Sequence, residues 1–492
     1  MAEAVTAPDR GHARRWWVFA VLGIAQLMIV LDATIVNIAL PSAQASLHFS
    51  DANRQWVVTA YALAFGSLLL LGGRIGDLFG PKRVLITGAV GFGLASALGG
   101  AAQSFAVLVT ARGLQGVFAA LMAPAALSLV TTTFTDPRER GTAFGIWGGI
   151  AGGAGAIGLL LGGVLTQSLS WRATLFINLA FAIPTAIGGL ALLRRDARAS
   201  GSRIDVPGTV TATAGLFALV YGFANAESHG WGASTTVAFL AAGVLLLVGF
   251  VATQLRATNP LLPLRVVLHR NRGGSFLTLG LLGIGVFSVF LFLTYYLQQI
   301  KGYSPITSGL AYLPLTVALV VAAGLANTRL LPRIGPRPLM ALGMALSAVS
   351  FALFAELGVH SSYVTGVLPG LLLAGVGLGL VFAPATDIAI RGVSSTDAGV
   401  ASALVNATNQ IGGSLGIALL STLSASAANQ YLATRQPNPA AVAHAAVHGY
   451  ATAYWWAAAI FSAGAFIAGL LLRRPTESEA SGEGELVPVG AF

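Results

Sequence analysis

Cysteine is absent, lysine occurs only at Lys82 and Lys301, and no more than 9% of the 492 residues are charged. Without cysteine there is no disulfide framework and no thiolate metal site. Neither lysine closes a Gly-x-x-x-x-Gly frame, so no Walker A loop supplies ATP energy. An ordinary soluble domain carries roughly a quarter charged residues. A chain this poor in charge cannot coat a globule of its size in water. Histidine is scarce as well: His12, His48, His229, His269, His360, His444 and His448 all map to predicted loops or tails. No buried His/acid pair is then available for general acid–base work, which argues against an intramembrane enzyme.

What is present is apolar length. Hydrophobic residues make up 55% of the chain, the mean hydropathy is +0.79, and runs of about twenty apolar residues recur from Trp16 almost to the C-terminus. These runs predict an all-α polytopic membrane protein with fourteen transmembrane helices, the first near 16–41 and the last near 450–472. The first run follows Arg10, Arg14 and Arg15 but continues for about 25 residues, longer than a secretory h-region, so it stays in the bilayer.

Of the basic residues, only Arg54, Arg172, Lys301 and Arg435 fall in one set of loops, and Arg112 falls inside a span. The others crowd the leader, the C-terminal end and the alternate loops. This positive-inside asymmetry predicts cytoplasmic termini, consistent with an even number of spans. The net charge of +10 is therefore a topology signal. A nucleic-acid footprint would be a patch on one soluble domain, and none is seen.

An internal repeat organises the spans. RIGDLFGPKR (Arg74 to Arg83) resembles RLLPRIGPRP (Arg329 to Pro338), with their Gly-Pro pairs 255 residues apart; Gly141, Gly155 and Gly158 recur as Gly399, Gly413 and Gly416 at an offset of 258. The chain divides into a cytoplasmic leader (1–15), an N-terminal six-helix bundle (16–193), two inserted helices with flanking loops (194–273), a C-terminal six-helix bundle (274–472) and an acidic, disordered cytoplasmic tail (473–492). Duplicated halves of this kind place a substrate path at their interface and transport by rocking one half against the other.

From Trp16 to Leu40 the only ionisable residue is Asp32. Counting at 1.5 Å per residue, Asp32 lies about 13 Å below Pro41 and Arg112 about 10 Å below the start of its helix near Phe105. Charges at that depth cost roughly 2.5 to 3.5 kcal/mol each and usually face a cavity or one another. A direct or water-bridged pair is one outcome. Burial opposes the charge on Asp32 and a nearby Arg112 favours it, so the carboxyl can titrate as its surroundings change. The alternative is a permanent structural ion pair. Other polar residues mark a candidate substrate path: Ser402, Asn406, Asn409 and Gln410 on one face of a helix, with Asn37, Tyr61, Gln115, Asn178, Tyr295 and Gln298. Such residues serve as often to join helices.

LDATIVNIALP (Leu31 to Pro41), WVVTAYALA (Trp56 to Ala64), GRIGDLFGPKR (Gly73 to Arg83), ARGLQG (Ala111 to Gly116) and DAGVASALVNATNQIGGSLG (Asp397 to Gly416) resemble the major facilitator superfamily, and within it the fourteen-helix drug:proton antiporters, the QacA- and EmrB-like branch. The resemblance implies a proton-coupled exporter of amphipathic drugs or antibiotics, working by alternating access, without cofactor and driven by the proton gradient. A dedicated exporter of one natural product or lipid would use the same scaffold. The resemblance implies proton coupling at Asp32 and Arg112. It also implies a cytoplasmic gate at Gly73, Asp77, Gly80 and Arg83, with Asp77 latching at the helix that begins near Asp397. Pro332 stands where the second copy would need that aspartate, so there is one latch. Two departures narrow the reading: GGIAGGAGAIG (Gly148 to Gly158) lacks the proline of the antiporter motif, and the later helices lack the buried acids that suit dications. The implied setting is a bacterial cytoplasmic membrane, with protons, lipid and a small amphipathic molecule as partners and the monomer as the working unit.

Overall fold

Apolar segments of this length leave the backbone no partner but itself, and helices satisfy it completely. A computed structural model describes residues 10–134, 136–193, 205–258, 260–391, 393, 398–435 and 438–472. Fourteen long helices are described: α1 Arg10–Leu47, α2 Asp51–Phe79, α3 Pro81–Gly100, α4 Phe105–Thr133, α5 Pro137–Ser168, α6 Ala173–Leu192, α7 Val206–His229, α8 Ser234–Arg256, α9 Arg270–Ile300, α10 Pro305–Ile334, α11 Pro336–Ala355, α12 Tyr363–Ile390, α13 Ala398–Ala433 and α14 Pro439–Leu471. Thirteen are long and apolar enough by composition to cross a membrane, and α5 runs for 32 residues. The predicted leader and tail lie mostly outside the described residues.

Several helices overrun the apolar segments that betray them. α14 begins at Pro439, where the Asn438 side chain accepts the Ala441 N–H at 2.7 Å. His444 and His448, predicted to lie in a loop, therefore sit on its first turns. Capping chemistry, which hydropathy does not register, sets that end.

The repeat is visible in the backbone. Gly80 and Gly335 both have positive φ (89° and 79°), and each is followed by proline at the first helical position. Only glycine adopts that turn without strain. Of the glycines leading into the first turn, Gly73 and Gly76 make no close helix approach: a Cβ on Gly76 would meet nothing within 4 Å, and on Gly73 only Pro124 at 3.8 Å. Their neighbour Gly72 fills that role, since a Cβ there would collide with the Ala120 carbonyl of α4.

Contacts divide the described residues into two units. The first comprises α1–α8 with residues 289–313 and 417–422. Within it Gly116 of α4 lies against the Tyr61 carbonyl of α2, and Gly158 and Gly162 of α5 lie against Thr34 and Ile35 of α1. Gly158 and Gly162 of α5 thus serve the packing of α1, while Gly163 lies against the Pro305 carbonyl of α10. The inserted helices also belong here: Trp56 of α2 meets Tyr221 of α7 with ring centroids 6.3 Å apart. Asp205 caps α7 through the Gly208 N–H (2.8 Å) and also accepts from Gln254 of α8 (2.7 Å) and the Leu261 N–H (3.2 Å).

The second unit comprises residues 262–288, 314–416 and the chain from Leu423 onward. Its seams repeat those of the first. Gly375 of α12 lies against the Leu315 carbonyl of α10, and Gly413 and Gly416 of α13 against Phe287 and Ile284 of α9. Basic residues cap matching helix ends: Arg14 donates to the Leu192 carbonyl at the end of α6 (3.2 Å), and Arg270 to the Leu470 and Leu471 carbonyls at the end of α14 (both 2.7 Å). Cations belong at a helix C-terminus, where the carbonyls lack partners.

Candidate functional site

Asp32 is fully buried in the middle of α1, and three side chains from two helices bring it N–H donors. The Arg112 guanidinium of α4 donates to Oδ2 at 2.6 Å; the Gln115 amide of α4 and the Asn178 amide of α6 donate to Oδ1 at 2.9 and 2.7 Å. Each of those amides also donates to the hydroxyl of Ser96 on α3, at 2.6 and 3.1 Å. Asp32 Oδ1 and Ser96 Oγ are thus bridged twice by side-chain amides. Charge-assisted N–H donors on both oxygens match an ionised carboxylate.

Arg112 is held as fully as its partner. Its Nε donates to the Val57 carbonyl of α2 (3.0 Å), and the same NH1 that reaches Asp32 also reaches Gln115 Oε1 (2.9 Å). The guanidinium lies 4.5 Å from the centre of the Tyr61 ring, a cation–π contact, and the Tyr61 hydroxyl donates to the Ile29 carbonyl of α1 (3.3 Å). Close approach of α2 to α4 at Gly116 is what lets Tyr61 and the Val57 carbonyl reach this charge. A buried ion pair withstands its desolvation only with the help of further hydrogen bonds, and here they reach both partners.

The model of the Major Facilitator Superfamily matches residues 22–417 of the chain. The chain belongs to this superfamily. A puromycin resistance protein of Streptomyces alboniger is 49% identical over 489 residues, which are 99% of this chain and 96% of that protein. A cephamycin export protein of Amycolatopsis lactamdurans is 38% identical over 405 residues, covering 82% of this chain and 83% of that protein. Among solved structures, an auto-inhibited peptide transporter of the POT family superposes with a TM-score of 0.65 at 18% identity, covering 94% of this chain and 97% of its own. That likeness carries the fold alone. As a member of the superfamily the chain is a multi-pass secondary transporter and not an enzyme. Among the described residues no group of three or more His, Asp or Glu could hold a metal ion.

Within this major facilitator chain the predicted site residues scatter. Gln115, Asn178 and Tyr61 gather around Asp32 and Arg112, so what was read as a substrate path is, for these three, the cage of the ion pair. Asn37 turns back on its own helix, donating to the Ala33 and Thr34 carbonyls at 3.0 and 3.4 Å. Tyr295 and Gln298 lie at the end of α9, in a π-helical turn's approach to Lys301, and bind α1: the Tyr295 hydroxyl donates to Gln44 Oε1 (2.6 Å) and Gln298 to the Ile38 carbonyl (3.0 Å). The Arg54 guanidinium covers the Tyr295 ring at 4.3 Å. Nearby, Gly163 of α5 approaches the Pro305 carbonyl of α10. At this end of the first unit, side-chain hydrogen bonds and a cation–π contact tie residues 295–305 to α1, α2 and α5.

On α13, Asn409 donates to the Leu279 carbonyl of α9 (3.3 Å), Ser402 is half-buried and Asn406 exposed. The Gln410 Oε1 is buried with no hydrogen-bond partner. At the predicted gate, Asp77 faces Arg74 one turn earlier, at 4.0 Å, and not Arg83, which is exposed. Arg74 also donates to the Pro260 carbonyl (3.1 Å), tying the α2–α3 turn to the segment after α8. Asp397, the predicted docking point, lies outside the described residues. Ser96, Gln44 and Arg54 were missed. Ser96 sits among glycine and alanine on α3 and reads as a packing residue, and Arg54 reads as a loop charge although only 7% of it is exposed.

Proposed function

We propose that the chain exports an antibiotic in exchange for protons, and that Asp32 carries the proton. The observation behind this reading is the buried Asp32–Arg112 pair, hydrogen-bonded on both sides and caged by side chains from several helices. Protonation of Asp32 would discharge it and release Arg112, so a proton entering or leaving can be felt by α1, α3, α4 and α6 together. Alternating access needs such a link between occupancy and helix packing. Orientation follows the charge asymmetry, with both termini and the Gly80 turn in the cytoplasm and the Gln44–Tyr295 contacts on the opposite side.

The substrate is a small amphipathic molecule. Because the two relatives described above are each named for one antibiotic, a narrow exporter is favoured over a broad one, and puromycin is the first compound to test. A resistance panel in a sensitive host decides: strong protection against one compound class supports dedicated export, and weak protection against many unrelated drugs overturns it. For coupling, uptake of labelled puromycin into inverted vesicles should collapse when the pH gradient is dissipated; uptake that persists would overturn proton exchange.

A further inference from the structure

The Asn178 amide is half-used. Both of its N–H groups are spent, on Asp32 Oδ1 and on Ser96 Oγ, while its carbonyl oxygen is buried with no hydrogen-bond partner. An unpartnered buried acceptor costs free energy, so a residue that only needed to fill this space would not be an asparagine. In the chain's ionised state the amide nitrogen suits the carboxylate. Once Asp32 is protonated its O–H becomes a donor, and a turn about the last side-chain bond of Asn178 brings the idle oxygen to it. Ser96 fits both states: its oxygen accepts from the amide now, and its own proton can be donated to the turned carbonyl.

We propose that Asn178, steadied by Ser96, is a positioning residue that sets the pH at which Asp32 takes up its proton. The proposal rests on Asp32 being the proton carrier. The proton comes from water and forms the O–H bond on Asp32 Oδ1; Oδ2 becomes a neutral acceptor, which weakens its bond from Arg112, and Asn178 exchanges donation for acceptance. Among the described residues, the titratable or charged groups facing Asp32 from the packed helices are Arg112 and Tyr61, and neither is altered by changing Asn178 or Ser96.

The test needs no substrate. Purified protein in lipid bilayers is titrated by infrared difference spectroscopy, following the protonated-carboxyl band that Asp32→Asn removes. Asn178→Ala takes a charge-assisted donor from the ionised state and a weaker neutral acceptor from the protonated one, so the midpoint of that band should rise, by up to about one pH unit. Ser96→Ala should raise it by less, and Ser96→Thr, which keeps the hydroxyl, should restore the wild-type midpoint. A merely structural role would lower the unfolding temperature and leave the midpoint alone. Wild-type midpoints in folded Asn178→Ala and Ser96→Ala proteins would overturn the proposal, as would the absence of any Asp32-dependent band in wild type and Asn178→Ala between about pH 4 and pH 9. Failure of the underlying reading shows elsewhere, as gradient-driven efflux that survives Asp32→Asn.

Discussion

Beside Gly116 the first unit buries Arg112 and Gln115; beside Gly375, at an offset of 259 residues, the second unit buries Leu371 and Ala374. Where α3 and α6 contribute Ser96 and Asn178, the matching α11 and α14 contribute Phe351, Phe354, Tyr454 and Phe461, with ring centroids 5.0 Å apart for Phe351–Phe461 and 5.3 Å for Phe354–Tyr454. The glycine seams and helix caps are common to both units, so they belong to the scaffold. Among the described residues, buried charge is confined to the first. An apolar and aromatic core holds the same helix pattern in the second unit, so an ion pair is not needed to join such helices, and the structural reading of Asp32–Arg112 loses its main support.

The largest way to break this contrast is to give the first unit the second unit's residue. Arg112→Leu leaves Asp32 buried without its counter-ion and should cost about 3–5 kcal/mol, read as a large fall in unfolding temperature in detergent. Replacing Asp32 with Leu as well should recover most of that stability while abolishing proton-driven efflux. If the double variant stays as unstable as the single one, the pair is structural after all.

A smaller effect sharpens what the units share. Gly80→Ala and Gly335→Ala each force a side chain onto a positive-φ turn and should each cost about 1–3 kcal/mol. Thermal unfolding of the two single variants should shift alike. A loss in one only would mean that the two turns are not equivalent.

The smallest effect separates the inserted helices from both cores. Burial opposes the Asp205 charge, but hydrogen bonds from Gln254, Gly208 and Leu261 outweigh it and hold the carboxyl below its usual range. A group lowered on folding stabilises above its unfolded value and loses that contribution as pH falls through the folded one. Hydrogen-exchange protection of the Gly208 and Leu261 amides should therefore hold near neutrality and decline below about pH 4. Protection that is flat across this range would detach Asp205 from the anchoring of the α8–α9 segment.

Much of the scaffold was legible because hydropathy, loop charge and repeated Gly-Pro turns each report a physical constraint of the bilayer. Asp32 and Arg112 stood out for the same reason: a charge in an apolar run is costly and must be answered. Asn178 stood out only as one polar residue among several and Ser96 not at all, since their purpose depends on which residues of other helices face them. The close contact at Gly72, and the absence of one at Gly73 and Gly76, turned on helix rotation, which periodicity in an all-apolar segment does not fix.

Proton movement on substrate addition tests the central claim most directly. Inverted vesicles holding an acid-inside gradient, followed with a pH-sensitive dye, should release protons when puromycin is added to wild-type protein and should not when Asp32 is replaced by Asn. Equal release from the Asp32→Asn protein would contradict the assignment of the proton to this carboxylate.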